Sequence, residues 1–197
     1  MRASPLPAED PNEEALVLSA QQGDRNAFAQ LYEANVERVH RYLLSRLGEP
    51  ADAEDVTTEV FISPMKSLPS YRPKGTPLIA WLFRIAHNQA VNHIKKRSRR
   101  RETPLLETPL LEMAATSDGP EEQAINRVRL REVVEAMGDL TGLQQQVLNL
   151  RFAAGLSIAE VAKVMNRKEG AVKFLQFSAL RALRRVWSQQ EAGSHGN

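Results

Sequence analysis

Three stretches of this sequence carry side chains at spacings that could do chemistry, and in each the chemistry is recognition rather than bond-making. The first is residues 157–180, SIAEVAKVMNRKEGAVKFLQFSAL. Ser157 and Glu160 stand three apart, as in the capping box of a short helix. Val161, Ala162 and Met165 would form its buried side. Asn166 sits where a helix-turn-helix needs a residue that tolerates positive φ. Val172 and Leu175 then open the inner face of a second helix. Such a helix would lie in a DNA major groove and read base edges from its first turns. Arg167, Lys168, Lys173, Arg181, Arg184 and Arg185 add positive charge suited to phosphates. The plainer alternative is a helical hairpin in a bundle, and the flanking charge favours DNA over it.

The second stretch is residues 77–101 with the loop before it. Arg84, Asn88, Asn92, Lys96 and Arg100 are spaced by four and would share one helix face. Asn88, Gln89 and Asn92 offer donors and acceptors together, as base edges require. Residues 95–101, KKRSRRR, hold six positive charges in seven positions. Tyr71, Trp81 and Phe83 could stack on unpaired bases, although core burial is the plainer role for Trp81 and Phe83. The third stretch is the acidic segment 51–63, ADAEDVTTEVFIS. Its acids either complement the dipole of their own helix or form a docking surface for a protein partner.

Other chemistry is excluded. The chain has no cysteine, hence no disulfide, thiolate metal site or cysteine nucleophile. Histidines 40, 87, 93 and 195 show no metal-ligand spacing. There is no Gly-rich phosphate loop and no GxSxG elbow. The expectation is a protein that is no enzyme and uses no metal or cofactor. No apolar run approaches a membrane span, and the N-terminus lacks the apolar core of a signal peptide. A cytoplasmic location without membrane insertion follows as an expectation.

The elements that must position these residues read as helices throughout. Residues 1–12 hold three prolines and are expected to be a disordered tail. Asp24 is a good N-cap for a helix to Leu47, with Gly48 as its stop. Pro50 breaks the chain, a helix starts near Ala51, and Pro64 should end or kink it. Residues 67–76 are rich in turn formers. Thr76 and Pro77 read as an N-cap followed by proline at the first helical position. Residues 102–122 contain the tandem pentapeptide ETPLL-ETPLL and three prolines, so an extended tether is expected. Further helices are expected over 121–138, 143–153, 157–165 and 169–187.

The 197 residues carry a formal net charge of only +2. That mean conceals alternating blocks. Residues 1–60 hold 5 basic and 12 acidic side chains, and residues 61–101 hold 10 basic and none acidic. Residues 102–122 hold 6 acidic and none basic, and residues 123–197 hold 11 basic and 6 acidic. Two polyanion-facing surfaces separated by an acidic stretch are the expectation.

With these residues in view, the chain resembles the extracytoplasmic-function (group IV) bacterial RNA polymerase sigma factors. DAEDVTTEVF is similar to their polymerase-docking helix, and LIAWLFRIAHNQAVNHIKKRSRR to their promoter-melting and −10 helix. Residues 121–187, including LTGLQQQVLNLRFAAGLSIAEVAKVMNRKEGAVK, resemble sigma region 4. The resemblance implies an all-α fold of two small helical domains joined by an acidic flexible linker. Region 2 would span 13–101, the linker 102–120 and region 4 121–188, with a disordered tail over 189–197.

The same resemblance implies roles. Asp52, Asp55, Thr58 and Glu59 would meet the β′ clamp helices of core RNA polymerase. Tyr71, Arg84, Asn88, Asn92, Lys95, Lys96, Arg99 and Arg100 would hold the −10 element of promoter DNA. Arg167, Lys168, Glu169, Ala171, Lys173 and Arg181 would read the −35 element, while region 4 touches the β flap. An anti-sigma factor is the usual inhibitor in this family, although no motif for one is readable. Phe174, Phe177 and Ser178 stand where polar or basic groups are common in relatives. The phenylalanines either pack on the domain or contact thymine methyls. The competing expectations are a helix-turn-helix transcription regulator with an unrelated helical N-terminal module, and an all-helical enzyme or scaffold.

Overall fold

The computed structural model describes residues 11–68, 71, 77–100 and 137–194, and every regular element among them is helical. α1 spans Pro11–Gln21 and α2 spans Arg25–Leu47. The start of α2 is set by Asp24, whose carboxylate accepts from the Asn26 and Ala27 amides at 2.8 and 3.2 Å. Its end is set by Gly48 at φ 89°, a left-handed cap that a side chain would disfavour. Both ends thus follow the expectation from local residue types.

α3 runs over Pro50–Ser67 and α4 over Leu78–Arg100. Pro64 lies within α3 and does not end it. The missing N–H removes one backbone bond, and the helix continues for one turn beyond. α4 begins one residue after Pro77, whose carbonyl accepts from the Ala80 and Trp81 amides at 3.0 and 3.2 Å. Thr76, expected as its cap, lies outside the described residues. A distant residue contributes to the cap of this helix: the Glu13 carboxylate of α1 accepts from the Leu78 amide at 3.2 Å. Gln21, at the other end of α1, donates to the carbonyls of Leu68 and Tyr71 at 3.0 and 2.8 Å.

In the C-terminal half, α5 covers Gly142–Leu148 and passes directly into a π-helical turn, Asn149–Ala153. α6 covers Ile158–Met165 and α7 covers Glu169–Ser194. The expected tail at 189–197 is therefore helical as far as Ser194, because no breaker occurs before Gly193. The tether with its ETPLL pair, and the helix expected over 121–138 up to Ala136, fall outside the described residues.

Helices α2, α3 and α4 pack against one another, with α1 laid on α2. Val39, Tyr42, Leu43, Val60 and Phe83 are the fully buried centre of this unit. The Tyr42 and Phe83 rings meet edge to face with centroids 5.3 Å apart. Burial of each such side chain is worth about 1.5–3 kcal/mol. In the second unit, α5 and α6 pack on α7 and the π turn packs on α5. The two units also touch, α2 against the π turn and α4 against α6. One apolar cluster runs through both, from Val17 to Val172, while Leu140, Leu148, Ala179 and Leu183 form a smaller second one.

Candidate nucleic-acid and polymerase interface

The helix-turn-helix is built from local signals. Ser157 Oγ accepts from the Glu160 amide at 3.2 Å, and the Ser157 amide donates to Glu160 Oε2 at 2.6 Å. This capping box fixes where α6 starts. Asn166 ends it at φ 52° and ψ 50°, the single non-glycine residue with positive φ among the described residues. The chain then reverses, and the Arg167 amide donates to the Ala162 carbonyl at 2.9 Å. Val161, Ala162 and Val172 are buried at the crossing, and Met165 and Leu175 are partly so. The first turns of α7 are thereby left outside. Arg167, Lys168, Glu169, Ala171, Lys173 and Arg181 are all exposed.

Two side-chain contacts brace α7 from behind. Arg151 of the π turn donates Nε–H to Gln176 Oε1 at 3.2 Å and also reaches the Leu156 carbonyl. Gln144 of α5 donates to Ser178 Oγ at 2.9 Å. Ser178 therefore faces the domain, whereas Phe174 and Phe177 are 69% and 66% exposed. Sequence reasoning left the position of all three open.

α4 presents the second basic surface. Asn88, Asn92, Lys95, Lys96 and Arg99 are exposed. Asn92, Lys95, Lys96 and Arg99 line one open groove along the helix. The Arg100 side chain lies outside the described residues. Arg84 is set apart from the rest: its Nε and Nη2 both donate to the Lys163 carbonyl at the end of α6, Nε at 3.0 Å. Tyr71 is only 6% exposed, and its ring lies 4.9 Å from that of Trp81 at a tilt of 37°. It is placed with the core rather than presented to solvent. Phe83 is fully buried and Trp81 partly so.

On α3, Asp55, Thr58 and Glu59 are exposed and share a face with Glu54. Asp52 is not free like them. Its Oδ2 accepts from Arg97 Nη1 at 2.9 Å and from His93 Nε2 at 3.0 Å, which ties α3 to α4. Sequence spacing could not show this, because the partners lie on another helix.

Among the described residues, side-chain hydrogen bonds join the two units at three places. Besides Arg84, Arg38 of α2 donates Nε–H to the Ala154 carbonyl at 3.1 Å and Nη2–H to that of Gly155 at 3.4 Å. The third centres on His87, whose Nδ1 lies 3.0 Å from Tyr42 Oη and 3.2 Å from Gln146 Nε2. Burial pushes the Tyr42 hydroxyl up to about 12, so it keeps its proton and donates. Burial and, secondly, the Arg46 charge hold His87 below the ordinary imidazole value. A neutral ring with its lone pair on Nδ1 is the form that can accept from these donors, which share it.

Among the described residues no group of three or more acidic or histidine side chains could hold a metal ion. No described helix is long and apolar enough to cross a membrane.

Comparison with known proteins agrees with this geometry. Residues 31–100 match the Sigma-70 region 2 family and residues 136–185 the Sigma-70, region 4 family. The ECF RNA polymerase sigma factor BldN of Streptomyces coelicolor is 36% identical over 171 residues, covering 87% of this chain. The chain spans 64% of the length of BldN. The ECF RNA polymerase sigma factor SigD of Mycobacterium tuberculosis is 33% identical over 175 residues, covering 87% of this chain and 82% of SigD. CnrH, solved in complex with the cytosolic domain of CnrY, shares the fold at a TM-score of 0.67. That match has 23% identity and covers 90% of this chain and 98% of CnrH. Two sigma-70 regions in their proper order, one with a capped helix-turn-helix and one with an acidic helix packed on a basic one, have a single common explanation: the chain belongs to the ECF RNA polymerase sigma factors.

Proposed function

We propose that this chain is a dissociable specificity subunit of RNA polymerase, which binds core enzyme, carries it to promoters and helps open the DNA. The observation behind this reading is one juxtaposition. α3, which carries an exposed acidic face, packs on α4, which carries an exposed basic, amide-rich face, in a chain that also holds a helix-turn-helix with exposed basic residues.

Residues 13–101 serve as region 2, 102–120 as the tether and 121–188 as region 4. Asp55, Thr58 and Glu59 dock on the β′ clamp helices, with Asp52 at the edge of that patch. Asn88, Asn92, Lys95, Lys96, Arg99 and Arg100 hold the −10 element, joined by Arg84 and Tyr71 once those side chains are released. The exposed start of α7, residues 167–173 and Arg181, reads the −35 element, and region 4 touches the β flap. Strand opening is driven by binding to unstacked bases, each worth about 1–3 kcal/mol. The chain catalyses no reaction itself, uses no cofactor and works in the cytoplasm. An anti-sigma factor is its inhibitor.

Run-off transcription with core polymerase tests the reading. The expected result is a discrete transcript that requires both core enzyme and this chain. Tight DNA binding without core, together with failure to initiate with it, would overturn the proposal in favour of a free-standing regulator.

A further inference from the structure

The outward face of α7 is unlike the rest of the DNA-reading surface. Val172, Ala179 and Leu183 define the buried stripe of this helix. Opposite them, at helical spacing, come Gly170, Phe174, Phe177 and Arg181. A single exposed phenylalanine needs no explanation. Here two lie one turn apart at 69% and 66% exposure, in the second and third turns of the helix. Exposed Lys173 and Arg181 flank them, and Arg181, Arg184 and Arg185 line a shallow basin just beyond. Ser178, the neighbouring polar residue, is engaged by Gln144 instead.

An apolar ridge inside a basic rim fits a partner that is apolar at its centre and polyanionic at its edges. The DNA major groove offers both. Its floor carries the C5-methyl group of every thymine, and its walls are phosphate. We propose that Phe174, with Phe177 beside it, reads thymine C5-methyl groups in the −35 element, so that promoter choice by this chain depends on methyl contact as well as hydrogen bonds. This inference rests on the proposed sigma function.

The test replaces thymine by uracil, which keeps base pairing and the O4 acceptor and removes only the methyl group. Holoenzyme reconstituted from core polymerase selects duplexes randomised across the upstream element. The selected sequence is then remade with uracil at single thymine positions. The expected result is thymine enrichment at one or two neighbouring positions, and about fourfold weaker binding per methyl group removed. Phe174→Ala should bind thymine and uracil duplexes equally and keep the salt dependence set by the basic rim. Because Phe174 is exposed, its thermal melt should match that of the parent chain.

Equal binding of thymine and uracil duplexes by the parent holoenzyme would overturn the inference. So would a Phe174→Ala variant that still discriminates them. Loss of core polymerase binding by that variant would overturn the inference and assign the ridge to a protein partner instead. Recovery of no upstream sequence preference at all would overturn the sigma reading along with it.

Discussion

The Arg84 guanidinium of α4 caps the Lys163 carbonyl at the C-terminal end of α6, with Nε at 3.0 Å. The two residues lie 79 positions apart. A positive charge at that end complements the helix dipole, beside the turn that launches the recognition helix. Under the proposed function the same guanidinium serves the −10 element. It cannot do both at once. The −35 and −10 elements lie about 25 base pairs apart, or roughly 85 Å at ~3.4 Å per pair. A compact chain of this length is only about 40 Å across. Promoter engagement at both elements therefore requires α4 and α6 to part.

Arg38→Ala should ease that parting without touching a proposed DNA contact. It removes the hydrogen bonds to Ala154 and Gly155. A partly exposed contact of this kind is worth about 1 kcal/mol, so opening should be favoured about fivefold. The chain has no native cysteine, so thiols introduced at exposed Glu33 and Leu180 can carry a fluorophore pair. Energy transfer in the free variant should fall. An unchanged signal would mean that Arg38 does not hold the units together.

The His87 contact should make the closed arrangement sensitive to acid. Its neutral form is the one that Tyr42 and Gln146 recognise. Above the ordinary value of 6.5 the ring is neutral whether the contact is made or broken, so the contribution is complete. As pH falls below 6.5, the released ring takes up a proton that the buried ring resists. Stability is lost progressively as pH falls through the lowered value. The melting temperature of the parent chain should drop more steeply across this window than that of His87→Asn. Parallel pH profiles for the two proteins would count against the assignment.

Asp52 and its neighbours on α3 should separate cleanly. Asp52→Asn weakens the link to Arg97 and His93 and should cost about 1 kcal/mol of stability, read as a shifted denaturation midpoint. Charge reversal at exposed Asp55 and Glu59 should leave stability nearly unchanged and weaken binding to core polymerase at least tenfold. Contact of α7 with −35 DNA, measured on the same charge-reversed chain, should persist. Equal loss of both activities would contradict the division of labour between α3 and α7.

Asn88→Ala should act after DNA is bound. Its amide is exposed on the α4 face that meets the −10 element in the proposed complex. Loss of one amide–base hydrogen-bonded contact worth about 1–3 kcal/mol should reduce open complexes about tenfold. Permanganate reactivity of −10 thymines reports this, while closed-complex formation should change little. Unaltered reactivity would remove Asn88 from the site.

What could be read from the sequence was local. Asp24, Gly48, Ser157 with Glu160, and Asn166 all act within a few residues of themselves, and each sits where its type implied. The exposed basic start of α7 followed from them. The contacts that were not legible join residues far apart: Arg84 to Lys163, Arg38 to Ala154, Asp52 to Arg97. Periodicity marks which face of a helix is polar but not what it meets. Tyr71 looked like a loop aromatic because the partners that bury it, Trp81 and the Gln21 amide on its backbone, come from elsewhere. The π turn at Asn149–Ala153 has no residue signature of its own and reads as ordinary helix.

Glu13 carries a consequence for how the N-terminal half opens. An 11-residue helix such as α1 is too short to persist alone in water. It exists by docking, and its detachment would strip the Leu78 amide of its acceptor and the Leu68 and Tyr71 carbonyls of their donor in one event. The end of α3, Tyr71 and the first turn of α4 should then exchange their amide hydrogens as one cooperative unit with α1. The rate at which Leu78 exchanges would be governed by a carboxylate 65 positions earlier in the chain.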